Sequence, residues 1–522
     1  MIDKLASFFL QTLKRGNILF LIVITSFFAL LRFPSVAEPY WYGDEGVYEV
    51  IGIALRKGLI LYRDIWDNKP PLLYVIYAIF NGDQFYVRLA SLVVGLLSVV
   101  IFFFISRKLF KSNISVYIAT AFFAVMFGAP IIEGNIANAE NFMMLPTLAS
   151  FYLLFCTLPR EASAKWGSAP GSSKLKLAQF ISRMWPLGLA GFVLSLSFLT
   201  KIVAVFDFAA FSISLLSLRF FDRISFKHKE IVKEIKKLIL GIEQEIVFVI
   251  AFIIPIALTA LYFISNEAFS DFLKAAFSQN VGYVGYGNFF IFPMGLLYLK
   301  VLLLIFGVLL TFHYRKILSK SGVVIVIWLL FSVANALFSQ RPYTHYLLVA
   351  LPALSLFLGY MLDNKKILKF SLPFLILVLI VLLNTFKLNF RKVIPYYLNY
   401  LSFVTGVKPT EDYQAFFDRR VPRDYKIADF IRLKTTDSEN VFLWGDNPQI
   451  YALSGKLPPG RYTVSYHITF YKDAIAETKI ALSKSSPRYI IQIKDSPDVY
   501  NFTEGYELRY KIEEVKIYER KY

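Results

Sequence analysis

The chain has 522 residues, of which 57% are hydrophobic and 18% are charged, and its formal net charge is +19. Soluble domains typically carry about 25% charged residues, so this composition excludes an ordinary soluble protein and indicates a membrane protein. The single cysteine, Cys156, excludes an internal disulfide, and the four histidines leave little for a zinc site.

The apolar segments predict about eleven membrane spans, because one span needs roughly 20 apolar residues. These segments lie near 17–33, 87–106, 114–132, 141–158, 185–200, 202–221, 246–265, 292–312, 322–339, 345–362 and 369–386. Only Lys201 separates the fifth segment from the sixth. If those two formed a single span, every later segment would cross the membrane in the opposite direction.

The distribution of lysine and arginine predicts the orientation, because short cytoplasmic loops carry an excess of both. Basic residues cluster in alternate loops, within 107–111, 160–183, 219–237, 315–320 and 365–369. Loop 133–140 has none, and loop 266–291 has only Lys274. We therefore expect an integral plasma (inner) membrane protein with a cytoplasmic N-terminus and an outside C-terminal region. The positive net charge then reflects the lysines and arginines of the cytoplasmic loops, and it requires no nucleic acid partner.

The first outside loop, residues 34–86, is predicted to hold two helices along the membrane surface. Apolar residues recur at helical spacing between Glu45 and Lys57. A second helix is predicted to start at Pro70 or Pro71, because proline suits the first turn of a helix.

The composition changes at about residue 387, where apolar runs shorten and alternate with polar residues. The predicted strands are Val441–Trp444, Pro487–Ile493 and Glu513–Tyr518, and the predicted helices are Gln449–Ser454 and Lys472–Ser483. Strands alternating with helices indicate a small α/β domain. The expected fold is a polytopic α-helical membrane domain over residues 1–386, followed by an extracytoplasmic α/β domain over 387–522.

Three acids lie at outer span boundaries, namely Asp44, Glu45 and Glu140. Ionisable groups beside a membrane are costly and usually functional. The alternative interpretation is structural: Asp44 would cap the helix that follows, and Glu140 would be a favourable charge at a helix N-terminus.

Three cations, Lys69, Lys201 and Arg341, are predicted at the same depth and would suit an anionic lipid head group. A lysine that snorkels to the interface is the alternative for Lys201. Aromatic and imidazole side chains nearby are candidates for sugar or acceptor contacts, although interfacial aromatic belts are commoner. These candidates are Tyr48, Tyr62, His345 and Tyr346.

Several segments resemble one family, the protein O-mannosyltransferase and aminoarabinose-transferase superfamily. Tyr42–Tyr48 and Tyr62–Leu72 are similar to its first-loop signature, and Ala137–Met143 resembles the second-loop acid motif of its bacterial branch. Phe198–Lys201 and Gln340–Tyr346 are also similar, so that the resemblance covers about residues 15–360.

The resemblance implies the GT-C fold and a membrane glycosyltransferase that uses a polyprenyl-phosphate sugar. The acceptor hydroxyl would belong to a lipid, a glycan or a protein. Asp44 would be the general base of an inverting displacement, with Glu45 or Glu140 orienting the acceptor or binding a cation. The three cations would hold the donor phosphate. No cofactor is required, and a divalent cation is left open.

Two other functions compete with this interpretation. A transporter or flippase of a lipid-linked glycan also places charges in a membrane, and internal repeats would favour it. We find no repeat, and the charges collect outside rather than at the midplane. A non-enzymatic membrane scaffold would tolerate changes at Asp44 and Lys69.

Overall fold

The computed structural model describes residues 15–157, 173–219, 228–279, 295–339, 343–494 and 501–521. An apolar helical bundle is followed by a region with four short strands. The helices of the first part are α1 (Arg15–Arg32), α2 (Gly43–Arg56), α3 (Pro71–Ile79), α4 (Gln84–Leu109), α5 (Asn113–Gly128), α6 (Ala139–Phe151), α7 (Ser173–Thr200), α8 (Val205–Arg219), α9 (His228–Ser265), α10 (Phe269–Leu273), α11 (Gly295–His313), α12 (Arg315–Ala336), α13 (Leu351–Asp363) and α14 (Lys365–Phe386).

Four described helical segments are long and apolar enough to cross a membrane: Arg15–Ala37, Gln84–Leu109, Ile242–Ser265 and Arg315–Ala336. A fifth would be added if the bent pair Ser371–Phe386 and Phe390–Val404 formed one span. Shorter apolar helices occupy Asn113–Gly128, Met184–Thr200, Ile202–Leu218, Leu297–His313 and Leu351–Asp363. The molecule is therefore helical and membrane-type, and the count of about eleven spans stays a prediction.

The helix boundaries around Lys201 agree with the predicted break. Helix α7 ends at Thr200, a short 3-10 turn covers Ile202–Ala204, and α8 begins at Val205. Helix α9 begins at His228, within the charged segment that precedes the predicted span at 246–265, and runs without interruption to Ser265.

Loop 34–86 contains both of the predicted helices, α2 and α3. Their close crossing depends on Gly52, because a Cβ atom there would lie only 2.8 Å from the carbonyl carbon of Tyr77. Side-chain atoms essentially never approach backbone that closely, so the absence of a side chain lets the two helices pack. Later parts of the chain pack against these two helices.

The later part contains helices α15 (Val393–Val404), α16 (Thr410–Ala415), α17 (Val421–Lys434), α18 (Gln449–Ser454), α19 (Ser465–Phe470) and α20 (Ala474–Ser485). Its strands are β1 (Val441–Trp444), β2 (Tyr489–Gln492), β3 (Tyr506–Ile512) and β4 (Val515–Arg520). They form one sheet in the order β1-β2-β4-β3. β1 and β2 are parallel, with Val441 opposite Tyr489, and the other pairs are antiparallel. All four residues of β1 are buried, as expected for a parallel strand covered on both faces.

The sheet and loop 34–86 share one hydrophobic core. Val47, Tyr74 and Trp66 from the loop lie in the same buried cluster as Phe442 and Ile490 from the sheet. A second cluster fills the helical bundle. The division of the chain at residue 387 stays a prediction, but the later region packs onto the loop rather than standing apart from it.

Candidate active site

Asp44 lies in the first turn of α2, where a negative charge is favourable beside the exposed N–H groups. The position before the helix is Tyr42, and no side chain caps it, so Asp44 is not the N-cap. The Asp44 carboxylate is partly exposed and faces the Tyr48 hydroxyl at 3.4 Å. The Asp44 carboxylate therefore does not cap the helix.

Glu45 has a different environment from its neighbour. Its side chain is buried and forms a bidentate ion pair with Arg88, with 3.1 Å between Arg88 Nε and Glu45 Oε1. The backbone N–H of Ala137 donates to the same carboxylate at 2.8 Å, and Arg88 also pairs with Glu38 at 2.7 Å. The expectation that Glu45 orients an acceptor or binds a cation does not fit this geometry, because the buried carboxylate is already held by Arg88 and by the Ala137 N–H.

Glu140 and Lys201 form a direct ion pair. Glu140 lies in the first turn of α6, and Lys201 lies at the break between α7 and α8. The Lys201 ammonium also lies 4.9 Å from the centre of the Tyr346 ring. Lys201 is within Coulomb range of both Lys69 and Asp44, so these charges form one cluster.

Lys69 is positioned by the tyrosines of the first loop. The Tyr62 hydroxyl donates to the Lys69 carbonyl at 2.6 Å, and the Lys69 N–H donates to the Tyr74 hydroxyl at 3.1 Å. The Lys69 ammonium lies 5.4 Å from the centre of the Tyr48 ring. Tyr48 and Tyr62 are almost fully buried. The expectation that these two rings contact a sugar or an acceptor does not fit, because both are buried and contact Lys69 instead.

His345 also differs from the expectation of a sugar or acceptor contact. Its ring is buried, and both ring nitrogens face carboxylates. Nδ1 lies 2.9 Å from Glu133 Oε2, and Nε2 lies 3.8 Å from Glu140 Oε1. Sequence reasoning did not select Glu133, although it is the other acid of the loop that ends at Glu140.

Hydroxyl groups donate to both carboxylate oxygens of Glu133. The Tyr42 hydroxyl donates to its Oε2 at 2.7 Å, and the Thr344 hydroxyl donates to Oε1. Burial by itself would raise the pKa of Glu133, but the hydrogen bonds and the nearby His345 lower that pKa to about 2. Glu133 is therefore a fixed negative charge beside the cluster.

The later region of the chain also contributes to the site through α19. The Ser465 hydroxyl donates to Asp446 at 2.6 Å, and Asp446 in turn lies against Gly43 at the start of α2. His467 is buried, with Nε2 3.7 Å from Asp67 Oδ1. Burial lowers the pKa of His467 to about 4, against the opposing effect of Asp67. Nothing in the local sequence signals this contact, because about 400 residues separate its partners.

Arg341, the third predicted phosphate ligand, lies outside the described residues. Within the described part of the chain, no group of three or more His, Cys, Asp or Glu side chains is arranged to hold a metal ion. Glu45 and Glu140, which would have supplied two carboxylates to such an ion, are paired with Arg88 and Lys201 instead.

Comparison with known protein families gave a match to one part of the chain. A family model described as dolichyl-phosphate-mannose-protein mannosyltransferase matches residues 69–171, which include Lys69, Glu133 and Glu140. A search of curated proteins gave no match.

Among solved structures, the chain is similar to ArnT from Cupriavidus metallidurans bound to undecaprenyl phosphate. The sequence identity is 14% and the TM-score 0.50, over 96% of this chain and 98% of that chain. The archaeal oligosaccharyltransferase AglB from Archaeoglobus fulgidus, in complex with an inhibitory peptide and a dolichol-phosphate, has 14% identity and a TM-score of 0.49, over 92% of this chain and 70% of that chain.

The chain thus shares the fold of ArnT, and its residues 69–171 match the mannosyltransferase family model. Both findings support the GT-C superfamily resemblance that the loop motifs gave.

Proposed function

We propose that the protein transfers a sugar from a polyprenyl-phosphate donor to an acceptor hydroxyl on the outer face of the membrane. The observation that carries this proposal is the cluster of Asp44, Lys69, Lys201 and Glu140 at adjacent helix ends of a GT-C fold. The similar protein ArnT is bound to undecaprenyl phosphate, which supports a polyprenyl-linked donor. The sugar and the acceptor are not specified by these residues.

The donor phosphate is assigned to the cations of the cluster. Lys69 projects over the Tyr48 ring and its backbone is fixed by two tyrosine hydroxyls, so its ammonium is presented at a defined position. Lys201 is the second ligand, and Arg341 is the third by resemblance. Fixed cations lower the free energy of the phosphate that develops charge as it leaves.

Asp44 is assigned as the general base. The acceptor oxygen would form a bond to the anomeric carbon while its proton moves to the Asp44 carboxylate. The bond between the anomeric carbon and the phosphate oxygen would break, and the polyprenyl phosphate would leave with that electron pair. One displacement from the opposite face inverts the sugar configuration. Asp44 suits this step because its carboxylate is not held in an ion pair with Arg88, as Glu45 is.

The direct test is transfer of a radiolabelled sugar from polyprenyl phosphate in vesicles that contain the purified full chain. We expect label in the acceptor fraction with the wild-type protein and a much lower rate with Lys69→Ala. Movement of the labelled lipid between leaflets without any transfer would instead indicate a flippase. Equal transfer by Lys69→Ala would remove this lysine from the donor site.

The outer-face location has its own test. A C-terminal alkaline phosphatase fusion is expected to be active and a C-terminal green fluorescent protein fusion to be dark, because basic residues are concentrated in the loops assigned to the cytoplasm. The opposite result would place the cluster on the cytoplasmic face and reverse the proposed orientation.

A further inference from the structure

His345 lies between two carboxylates, and this placement is not explained by the transfer step alone. The residue belongs to a 3-10 turn, Thr344–Val349, which directs its ring against the loop before α6. Glu133 Oε2 faces one ring nitrogen at 2.9 Å and Glu140 Oε1 faces the other at 3.8 Å. Glu140 is also the partner of Lys201. Acidic and basic side chains therefore alternate along one continuous row: Glu133, His345, Glu140 and Lys201.

An acid lies opposite each ring nitrogen of His345. Nδ1 is within hydrogen-bond distance of Glu133, and Nε2 faces Glu140 across a slightly longer gap. Among the described residues, the ring also lies near the hydroxyl of Tyr42, at 3.5 Å from Nδ1, and near the rings of Tyr343 and Tyr346.

The position of Glu133 is fixed from several directions. Its backbone has a φ of +58°, which is costly for a residue with a side chain and is retained only where the surroundings impose it. Hydroxyl groups from Tyr42 and Thr344 hold the two carboxylate oxygens. Glu133 is thus an anchor that keeps the His345 ring directed at Glu140.

We propose that His345 is a positioning residue that releases Lys201 to the donor phosphate. This inference rests on the proposed function. Glu140 is almost fully buried and cannot be left without a cation, because an uncompensated buried charge is strongly unfavourable. With His345 Nε2 as a second partner for Glu140, Lys201 can turn toward an arriving phosphate. Without His345, Glu140 and the phosphate compete for the same ammonium.

The test measures the affinity of the full chain for undecaprenyl phosphate in lipid nanodiscs, which requires no catalysis. We expect His345→Gln to weaken binding by about tenfold or more, a change of about 1.4 kcal/mol. The double variant His345→Gln/Glu140→Gln is expected to bind at least as tightly as wild type, because nothing then retains Lys201. A residue with a merely structural role would not be rescued by removing a second charge. His313→Gln is the matched control, since His313 is exposed at the end of α11.

A second variant tests the anchor of the His345 ring. Glu133→Gln is expected to weaken binding in the same direction as His345→Gln, and it provides the test if His345→Gln does not fold.

Two results would overturn the inference. One is wild-type affinity in both His345→Gln and Glu133→Gln, and the other is a double variant as weak as the single one. If such a result came with normal sugar transfer by the wild-type protein, only the role of His345 would fail. If the wild-type protein neither bound undecaprenyl phosphate nor transferred sugar, the proposed function would fail as well.

Discussion

Asp44 and Glu45 are neighbours in the sequence, yet their carboxylates have different surroundings. Successive helical residues point in different directions, so one turn of α2 sends Glu45 into the protein and leaves Asp44 at the site. Arg88 holds Glu45 in a buried ion pair, whereas the hydrogen bond described for the Asp44 carboxylate is the one from the Tyr48 hydroxyl at 3.4 Å. At this scale, the available carboxylate is the better candidate for a base.

We expect Asp44→Asn to reduce the transfer rate by roughly 10²–10⁴-fold, or about 3–5 kcal/mol of barrier, because Asn cannot accept the proton. Donor binding should survive, since the lysines are unchanged. The measurement is the transfer rate at saturating donor. Asp83→Asn is the control: Asp83 caps α4 in the same loop, and Asn caps a helix equally well. A near wild-type rate for Asp44→Asn with an inactive Glu140→Gln would identify Glu140 as the base.

His467 makes the stability of the region around α19 dependent on pH. Burial lowers its pKa from 6.5 to about 4, in a setting that includes Asp67, Lys69, Asp44 and Asp446. The unfolded chain therefore binds a proton at a higher pH than the folded protein does. Stability is fully present above about pH 6.5 and is lost as the pH falls toward about 4.

The loss across this window is expected to be about 3 kcal/mol at most. The measurement is thermal unfolding in detergent at a series of pH values for wild type and His467→Gln. The variant should lose part of the pH dependence in this window, and His313→Gln should keep all of it. An identical pH dependence in wild type and His467→Gln would contradict the prediction.

At the scale of elements, the start of α2 is fixed against α18. Gly46 allows this contact, because a Cβ atom there would lie 2.7 Å from the backbone nitrogen of Gln449. Gln449 in turn donates from its side chain to Asp424 at 2.9 Å, which ties α18 to α17. The helix end that carries Asp44 is therefore positioned by the later part of the chain.

Gly46→Ala is expected to force α2 and α18 apart and to destabilise the protein by about 1–3 kcal/mol, because backbone cannot yield as a flexible side chain does. Transfer activity should fall as well, since Asp44 is two residues away. Thermal unfolding and transfer rate are the measurements. Gly188→Ala is the matched control, because its Cβ would meet Val247 at an ordinary 3.8 Å. Equal stability of the two variants would show that this contact is not needed.

At the scale of the whole molecule, Arg461 joins three parts of the chain. Its guanidinium pairs with Glu477 of α20 at 2.7 Å and with Asp271 of α10 at 3.0 Å. The same group lies 4.9 Å from the centre of the Trp66 ring. The backbone carbonyl of Arg461 accepts a hydrogen bond from the backbone N–H of Trp66 at 2.8 Å. A planar guanidinium can serve two carboxylates and an aromatic ring at once.

Arg461→Gln is expected to destabilise loop 34–86 and α10 together, because both contact Arg461. Hydrogen exchange should rise at the backbone N–H of Trp66 and in 269–279, with little change in the sheet. Arg432→Gln is the control, since Arg432 makes an exposed pair with Asp429, and exposed pairs contribute only about 0–1 kcal/mol. Increased exchange confined to the segment around residue 461 would contradict a joint role.

The sequence by itself determined the local features of this protein. Apolar runs indicated a helical membrane protein, periodicity and prolines predicted α2 and α3, and Lys201 marked the end of one helix. Alternation of short apolar and polar runs predicted β1, β2 and α18. These features are local, because they depend on residues within one or two turns of each other.

Only the tertiary structure decided which charges compensate one another. The partner of Glu45 is 43 residues away, and the partner of Glu133 is 212 residues away. Two adjacent carboxylates are equivalent in a sequence pattern, and folding distinguishes them by burying a guanidinium against one of them. The same holds for α19, which reaches the first loop only because both pack into one core. The energy of a charge depends on its neighbours in space, and chain order does not specify those neighbours.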